Sequence, residues 1–389
     1  MKLTIVSHKE VWRDEASPSG YSTYGGFPFQ MQAISEAFDE TVLCVPLFAG
    51  APPPGLLPVT GHNLRVLPLT PSYGEGIRRQ LAVIGHLPTL FPTLWRALRE
   101  TDAVHAVVPG DLGTIGLMMA LAMRIPLFAR HCGTWGVRRT PVERLLMHLL
   151  ERHAGGKNVV LATGGAPEPP SSVNPSVSWI FSTTLRTAEI EHNAQARPWR
   201  PGQVLELVTV SRLDRGKNVG ATLDAIARLR TSIPLRFTVI GDGSMASEWK
   251  AQATRLGLDD IVTFPGRLGH DDVMAHLSRA HVFVFPTNVA EGFPKAVLEA
   301  MACALPVIAT RVSVIPELLR TGGGIVLDRT DAGAVEAALR QLIAQPEQLP
   351  AMGAAARAAS LGFTLERWRD TIAERCEAAW HRPTREERA

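Results

Sequence analysis

AHVFVFPTNVAEGFPKAVLEAMACALPVIAT, residues 280–310, is the stretch that decides how this chain is read. Val282–Phe285 is apolar at every position, the pattern of a parallel strand covered on both faces. A loop follows, and Pro294 suits the first turn of a helix, where a missing amide hydrogen costs nothing. A tight bend then leads to a second apolar run at Pro306–Ala309. The amides of Gly292 to Ala296 would point out of the helix start and form an anion site. Two carboxylates stand eight residues apart, Glu291 just before the helix and Glu299 inside it. An anion the size of a phosphate between two such acceptors suits a sugar nucleotide. The helix start takes the diphosphate, and the carboxylates accept hydrogen bonds from sugar and ribose hydroxyls.

The surrounding chain supports the same chemistry. Upstream, the strand Val204–Val210 runs into SRLDRGKN, which carries Arg212 and Lys217. Breaking a bond between an anomeric carbon and a phosphate leaves charge on the departing nucleoside diphosphate. Charge-assisted hydrogen bonds of about 1.5–3 kcal/mol each can hold that charge, and more so where they strengthen in the transition state. Asp-x-Asp is absent from the sequence, so these cations, not a metal, are expected to neutralise it, and no cofactor is expected. Leu235–Ile240 is a further strand, and Gly241 to Ala246 after it fits G-x-G-x-x-A, the dinucleotide fingerprint. In that fingerprint the acid closes the second strand, whereas Asp259 and Asp260 precede the strand Ile261–Phe264. The segment is therefore read as a Gly-Asp-Gly turn.

EGFPKAVLE, with P-x5-G-F-P before the second Glu and E-A-M-A from that Glu onward, resembles the E-x7-E element of retaining glycosyltransferases with the GT-B architecture, in particular glycosyltransferase family 4. The resemblance implies an α/β fold of two doubly wound Rossmann-like domains with an interdomain cleft. It implies an N-terminal acceptor-binding domain over 1–185, a linker over 186–203 and a nucleotide-sugar domain over 204–364. A C-terminal helix over 365–389 would cross back to the first domain. Glu291 would bind hydroxyls of the donor sugar and help hold charge at the reacting centre, with Glu299 on the ribose. Gly292, Phe293, Pro294 and Lys295 would complete the donor loop. Arg212 and Lys217 match the family's Arg-x4-Lys clamp on the diphosphate, and Gly241 its Gly-Asp-Gly turn. In the loop read over Pro265 to Leu268, Arg267 and Leu268 stand where relatives approach the nucleobase. The implied reaction is metal-independent transfer with retention, from a UDP-sugar first and a GDP-sugar second, to a hydroxyl of a glycan, glycolipid or small molecule. A glycosyl phosphorylase or a non-catalytic GT-B-like binding protein would share the layout.

Farther out, Leu3–Val6 reads as the opening strand and Ser7 to Tyr24 as a long polar loop. Gly25 and Gly26 then open a helix, and glycines there let backbone approach an anion closely. The family's Gly-Gly at this point contacts the diphosphate. Thr41–Pro46, Leu64–Leu69, Ala103–Val108, Pro126–Ala129 and Ser178–Phe181 read as further strands, the last closing this half. Ile77 to Arg99 reads as core-facing helix carrying Leu81, Ile84, Leu87, Leu90, Leu94 and Trp95, interrupted at Pro88 and Pro92. His131 is expected where a strand ends, on the ligand side of an open sheet; by resemblance it faces the transferred sugar. The chain departs from the family at Ser182–Thr183–Thr184, which replace an Asn-Gly pair. Ala304 and Ser313–Val314 also stand where glycines are usual.

Bulk properties narrow the class. With 389 residues, 46% apolar and 20% charged, the chain can bury two cores. A net charge of +3 argues for no nucleic-acid partner. Cys44, Cys132, Cys303 and Cys376 lack metal or disulfide spacing. The start at KLTIVS reads as a strand rather than a leader, and Leu112 to Met123 is too short to span a bilayer. The expected location is the cytoplasm. Between Arg124 and Lys157, seven Arg/Lys stand against two acids, a segment that leaves open peripheral contact with an acidic inner membrane face.

Overall fold

Continuous apolar runs separated by amphipathic helices can bury both faces of a strand only as parallel sheets with helices on either side. The computed structural model shows two such sheets. It describes all residues except 54, 75, 139, 193–196 and 381–389, and the side chains at 76, 77, 80 and 81. Arg139, part of the basic segment, and Leu81 of the expected inner helix face therefore lie outside the described positions, as does part of the expected linker.

The chain begins with β1 (Lys2–Val6), β2 (Trp12–Arg13), β3 (Tyr21–Thr23), α1 (Phe27–Ser35), β4 (Glu40–Pro46), β5 (Leu57–Pro58) and β6 (Leu64–Leu69). Next come α2 (Gly76–Arg99), β7 (Ala103–Val108), α3 (Asp111–Ala122), β8 (Leu127–His131), α4 (Pro141–His153), β9 (Asn158–Thr163) and β10 (Val177–Ile180). After α5 (Thr187–His192) follow β11 (Leu205–Val210), α6 (Val219–Leu229), β12 (Leu235–Ile240), α7 (Ala246–Arg255), β13 (Val262–Gly266) and α8 (His270–Arg279). Then come β14 (Val282–Phe285), α9 (Lys295–Ala302), β15 (Val307–Thr310), α10 (Ile315–Leu318) and β16 (Gly324–Leu327). The last helices are α11 (Ala332–Ala344), α12 (Gln348–Ser360) and α13 (Leu365–Trp380).

The chain divides into one unit of Met1–Thr184 with Leu365–Ala389 and a second of Leu185–Thr364. The first holds a parallel sheet in the order β10-β9-β8-β7-β1-β4-β6, the second one in the order β13-β12-β11-β14-β15-β16. In the first unit, Trp368 of α13 is fully buried, and the Arg130 guanidinium lies 5.0 Å from its ring. In the second, α5 occupies the stretch read as linker.

Four local expectations change. Ser7 to Tyr24 is not all loop: β2 and β3 pair antiparallel, and β5 joins them in a three-stranded sheet. β9 is an additional strand between β8 and β10; its polar ends, Asn158 and Thr163, hide a buried centre. α2 runs unbroken through Pro88 and Pro92, because both prolines lie on its exposed side while Leu90, Leu94 and Leu98 are buried. Burying side chains of this size stabilises by about 1.5–3 kcal/mol each, enough to outweigh an interrupted amide ladder. Ile84 and Trp95, expected on the inner face, are exposed. The basic segment is not one patch. Arg130 is buried and donates to Gln30 Oε1 at 2.9 Å, and Arg138 is bidentate on Glu151 at 3.0 Å. Among the described residues no helix is long and apolar enough to cross a membrane.

Candidate active site

In the second unit the strand order reverses between β11 and β14. Open α/β sheets bind ligands outside the carboxyl ends of strands at such a reversal. The loops leaving β11 and β14 carry Arg212, Lys217 and Glu291, so topology alone brings these residues to one crevice. Lys217 lies in a single 3-10 turn, Arg215–Lys217. Its Nζ donates to Glu291 Oε1, which Thr287 Oγ1 also approaches at 3.3 Å. The two loops are stitched together by the Asn288 amide and by Thr287 Oγ1, at 2.9 and 3.1 Å from the Gly216 carbonyl. Residue 216 must be glycine for this approach, since a Cβ there would sit 2.4 Å from Val289 Cγ1.

The two cations differ. Lys217 and Glu291 keep only 11% and 18% of their side-chain exposure. Arg212 keeps 80%, and its ion pair is with Asp214 at 3.4 Å. Arg212 and Lys217 do not touch, so a clamp would close only around an anion. The Gly241–Gly243 turn braces the Arg212 loop from below. Leu213 donates to the Asp242 carbonyl at 2.9 Å and Met245 to the Leu213 carbonyl at 2.7 Å. Gly241 has φ +130°, and a Cβ on it would lie 1.9 Å from the Ser211 carbonyl. Its place is thus against backbone. Asp259 accepts from Thr254 at 2.6 Å, tied to its own neighbourhood, as the rejection of a dinucleotide fingerprint requires.

The start of α9 differs from expectation. Pro294 is the cap and Lys295 the first helical residue. Pro294 has φ −82° and ψ 83°, and the Lys295 amide donates to the Phe293 carbonyl at 3.0 Å, an inverse γ-turn. Of the five residues expected to offer amides, Pro294 has none and Lys295's is committed, so at most Gly292, Phe293 and Ala296 can meet an anion. The Phe293 ring is buried, 5.7 Å from Phe363, and anchors the loop. Glu291's own amide donates to Ser313 Oγ at 3.0 Å.

Glu299 does not meet Glu291's partners. It is nearly buried, 3.9 Å from His270 Nδ1. Burial pushes its carboxyl upward, with His270 and Lys295 opposing. His270 opens α8 just after the loop of Arg267 and Leu268; β13 extends to Gly266, so that loop begins at Arg267 rather than Pro265.

Gly25, Gly26 and His131 belong to the first unit. Gly26 caps α1 and Gly25 has φ +75°, so the glycine pair does open a helix. His131 is the final residue of β8, which runs two residues past the expected end at Ala129. It is buried, with Nδ1 3.2 Å from the Gly133 carbonyl and Trp135 packed edge-on. Burial lowers its pKa, leaving a neutral imidazole near pH 7. Thr287 and His270 were missed in the sequence, and Ser313 was noted only as a departure from a usual glycine. Each follows a strand or opens the next helix, which is the signal that would have singled them out.

The glycosyl transferases group 1 family matches residues 193–359. Over 148 residues the chain is 32% identical to WcaL of Salmonella typhimurium, a protein named for colanic acid biosynthesis, covering 36% of each chain. Over 170 residues it is 31% identical to the GDP-mannose-dependent alpha-(1-6)-phosphatidylinositol monomannoside mannosyltransferase of Mycolicibacterium smegmatis, 42% of this chain and 44% of that one. The matched stretches thus span less than half the length of these relatives. HepE of Anabaena, crystallised with UDP, superposes with a TM-score of 0.67 at 18% identity, over 97% of this chain and 100% of that one. That likeness shows the GT-B fold of two Rossmann-like domains.

Proposed function

We propose that this chain, whose residues 193–359 form a glycosyl transferases group 1 domain on a GT-B fold, transfers a sugar from a nucleotide donor to a hydroxyl acceptor. The observation that carries the reading is the crevice between β11 and β14, where the Lys217–Glu291 pair and an unburied Arg212 converge at the switch point. In the proposed reaction the bond from anomeric carbon to diphosphate oxygen breaks as the acceptor oxygen bonds the same face of the sugar. The acceptor's proton passes to the departing phosphate oxygen, and retention follows. Arg212 and Lys217 neutralise the growing charge on that phosphate by fixed hydrogen bonds, and no metal is required for this. Glu291, held by Lys217, Thr287 and Ser313, accepts from sugar hydroxyls. Glu299 accepts from the ribose. His131, neutral, donates or accepts at the sugar or the acceptor.

UDP-sugars are the first donors to test and GDP-sugars the second. The GDP-mannose named for the M. smegmatis relative and the UDP bound to HepE support these two. A chain that binds a nucleoside diphosphate with Kd a hundredfold below its concentration gains about 2.7 kcal/mol of stability. Thermal-shift measurement with UDP, GDP, ADP and dTDP therefore identifies the base, and product analysis with the matching sugar gives the linkage. No shift with any of them would end the reading. Sugar phosphate released from a glycoside by free phosphate, with no nucleotide needed, would assign a phosphorylase instead. Activity unchanged by a chelator is the expected outcome for diphosphate held by side chains alone.

A further inference from the structure

Two titratable side chains without a part in the mechanism above, His270 and Glu189, lie beside Glu299. His270 Nε2 lies 3.4 Å from Glu189 Oε1 on α5, and its Nδ1 lies 3.9 Å from Glu299 Oε1 on α9. Glu189's other oxygen accepts the Arg186 amide at 2.7 Å, which fixes that carboxylate toward the imidazole. An imidazolium at the start of a helix opposes the helix dipole, so only nearby acids can hold a charged His270 there. Two face it, with Asp271 beside them. Glu299 faces His270, Lys295 one turn earlier on α9, and Glu189. The Cys303 thiol near it is pushed up to about 12 by burial and stays neutral.

We infer that His270 is a positioning residue for Glu299: donating to Glu189 through Nε2, it faces Glu299 with Nδ1–H and keeps that buried carboxylate ionised and aimed at the donor's ribose. The inference rests on the ribose role proposed for Glu299. A vicinal diol offers two O–H donors, which only an ionised, acceptor-only carboxylate can meet on both oxygens. Burial drives Glu299 toward its protonated form, and His270 supplies the opposing charge. The Glu189 hydrogen bond, followed by Glu299's charge, raises the His270 pKa against burial. Its effect on Glu299 is therefore complete at mildly acidic pH and lost as pH rises through that raised pKa.

The test compares affinity for UDP and GDP with affinity for their 2′,3′-dideoxy analogues, by calorimetry on the full chain from about pH 6 to about pH 9. The wild type should prefer the ribose form about tenfold or more, with the preference shrinking as pH rises. His270→Gln should reduce it to about threefold or less at every pH, leaving affinity for the dideoxy form near wild type. Glu189→Gln, which keeps the imidazole but removes its partner's charge, should move the loss of preference to lower pH. A wild type indifferent to the ribose hydroxyls overturns the role of Glu299 and this inference with it. A wild-type preference that survives His270→Gln, with an unmoved pH profile in Glu189→Gln, overturns the inference alone.

Discussion

Each unit reverses its strand order at one place, β7/β1 in the first and β11/β14 in the second, yet the two crevices carry different electrostatics. In the second, Lys217 and Glu291 pair while mostly buried, and Arg212, paired with Asp214, is mostly exposed. In the first, Arg79 and Asp111 neutralise each other at 2.6 Å, and burial lowers the pKa of His8 and His131. The same topology thus builds one crevice with a mostly buried ion pair beside an exposed arginine, and another whose ion pair lies nearer solvent beside histidines with lowered pKa. Partly buried charges are costly to keep, and of the two crevices the second keeps its ion pair deeper.

The contrast can be broken by substitution, most severely at Lys217. Lys217→Ala removes a proposed diphosphate ligand and also strands a mostly buried Glu291. Turnover should fall at least as far as for Arg212→Ala, and unfolding should lose about 3–5 kcal/mol, the usual loss for half of a buried pair, read in denaturant. Arg212→Ala tests function alone. Its side chain is mostly solvated, so turnover should drop roughly 10²–10³-fold with the melting curve unchanged; a loss under threefold would mean the clamp is misassigned.

The next effect concerns pH. His105, at the core of the first unit, is stacked on Phe128 and held by burial down to about 3. Its folded pKa lies below the unfolded value near 6.5. The stability it contributes is therefore complete above about pH 6.5 and declines as pH falls toward about 3. His270, with a raised pKa, has the opposite sign: its contribution is complete below about pH 6.5 and is lost as pH rises through the folded pKa. Denaturant midpoints across pH should show His105→Phe flattening the acid limb and His270→Gln the alkaline one. No change in either limb would refute the assigned environments.

Smaller changes are expected at the two departures from family glycines. Ala304 and Ser313 both sit at positive φ, +54° and +48°, where a side chain costs about 1–2 kcal/mol. Ala304→Gly should stabilise by about 1 kcal/mol. Ser313→Gly should gain less, because it also frees the Glu291 amide, and it should lower turnover a few-fold where Ala304→Gly does not. Equal kinetics in the two variants would show that the Ser313 hydroxyl does not position Glu291.

Several of these features were legible in the sequence for a physical reason. Val282–Phe285 and Leu64–Leu69 are recovered at their limits, because an apolar run with polar flanks has few places to begin or end. The Arg212, Lys217 and Glu291 assignments rest on charged residues next to strand ends, a position that chain order records. α2 was not legible, since Pro88 and Pro92 signal a break locally and only the burial of Leu90, Leu94 and Leu98 overrides them. His270 gave no sign of its partners for a similar reason. It is separated from Glu189 by 81 positions and from Glu299 by 29, and neither interval carries a periodic signal.

By itself the sequence determined the doubly wound α/β class, the course of most strands and the types of side chain set at their carboxyl ends. Periodicity and apolar runs are local properties that neighbouring residues record. Which of those side chains touch was decided by the tertiary structure alone: Lys217 on Glu291, Ser313 beneath the Glu291 amide, His270 between two carboxylates. Such pairings depend on strand order and helix packing, and burial then sets which groups keep their charge.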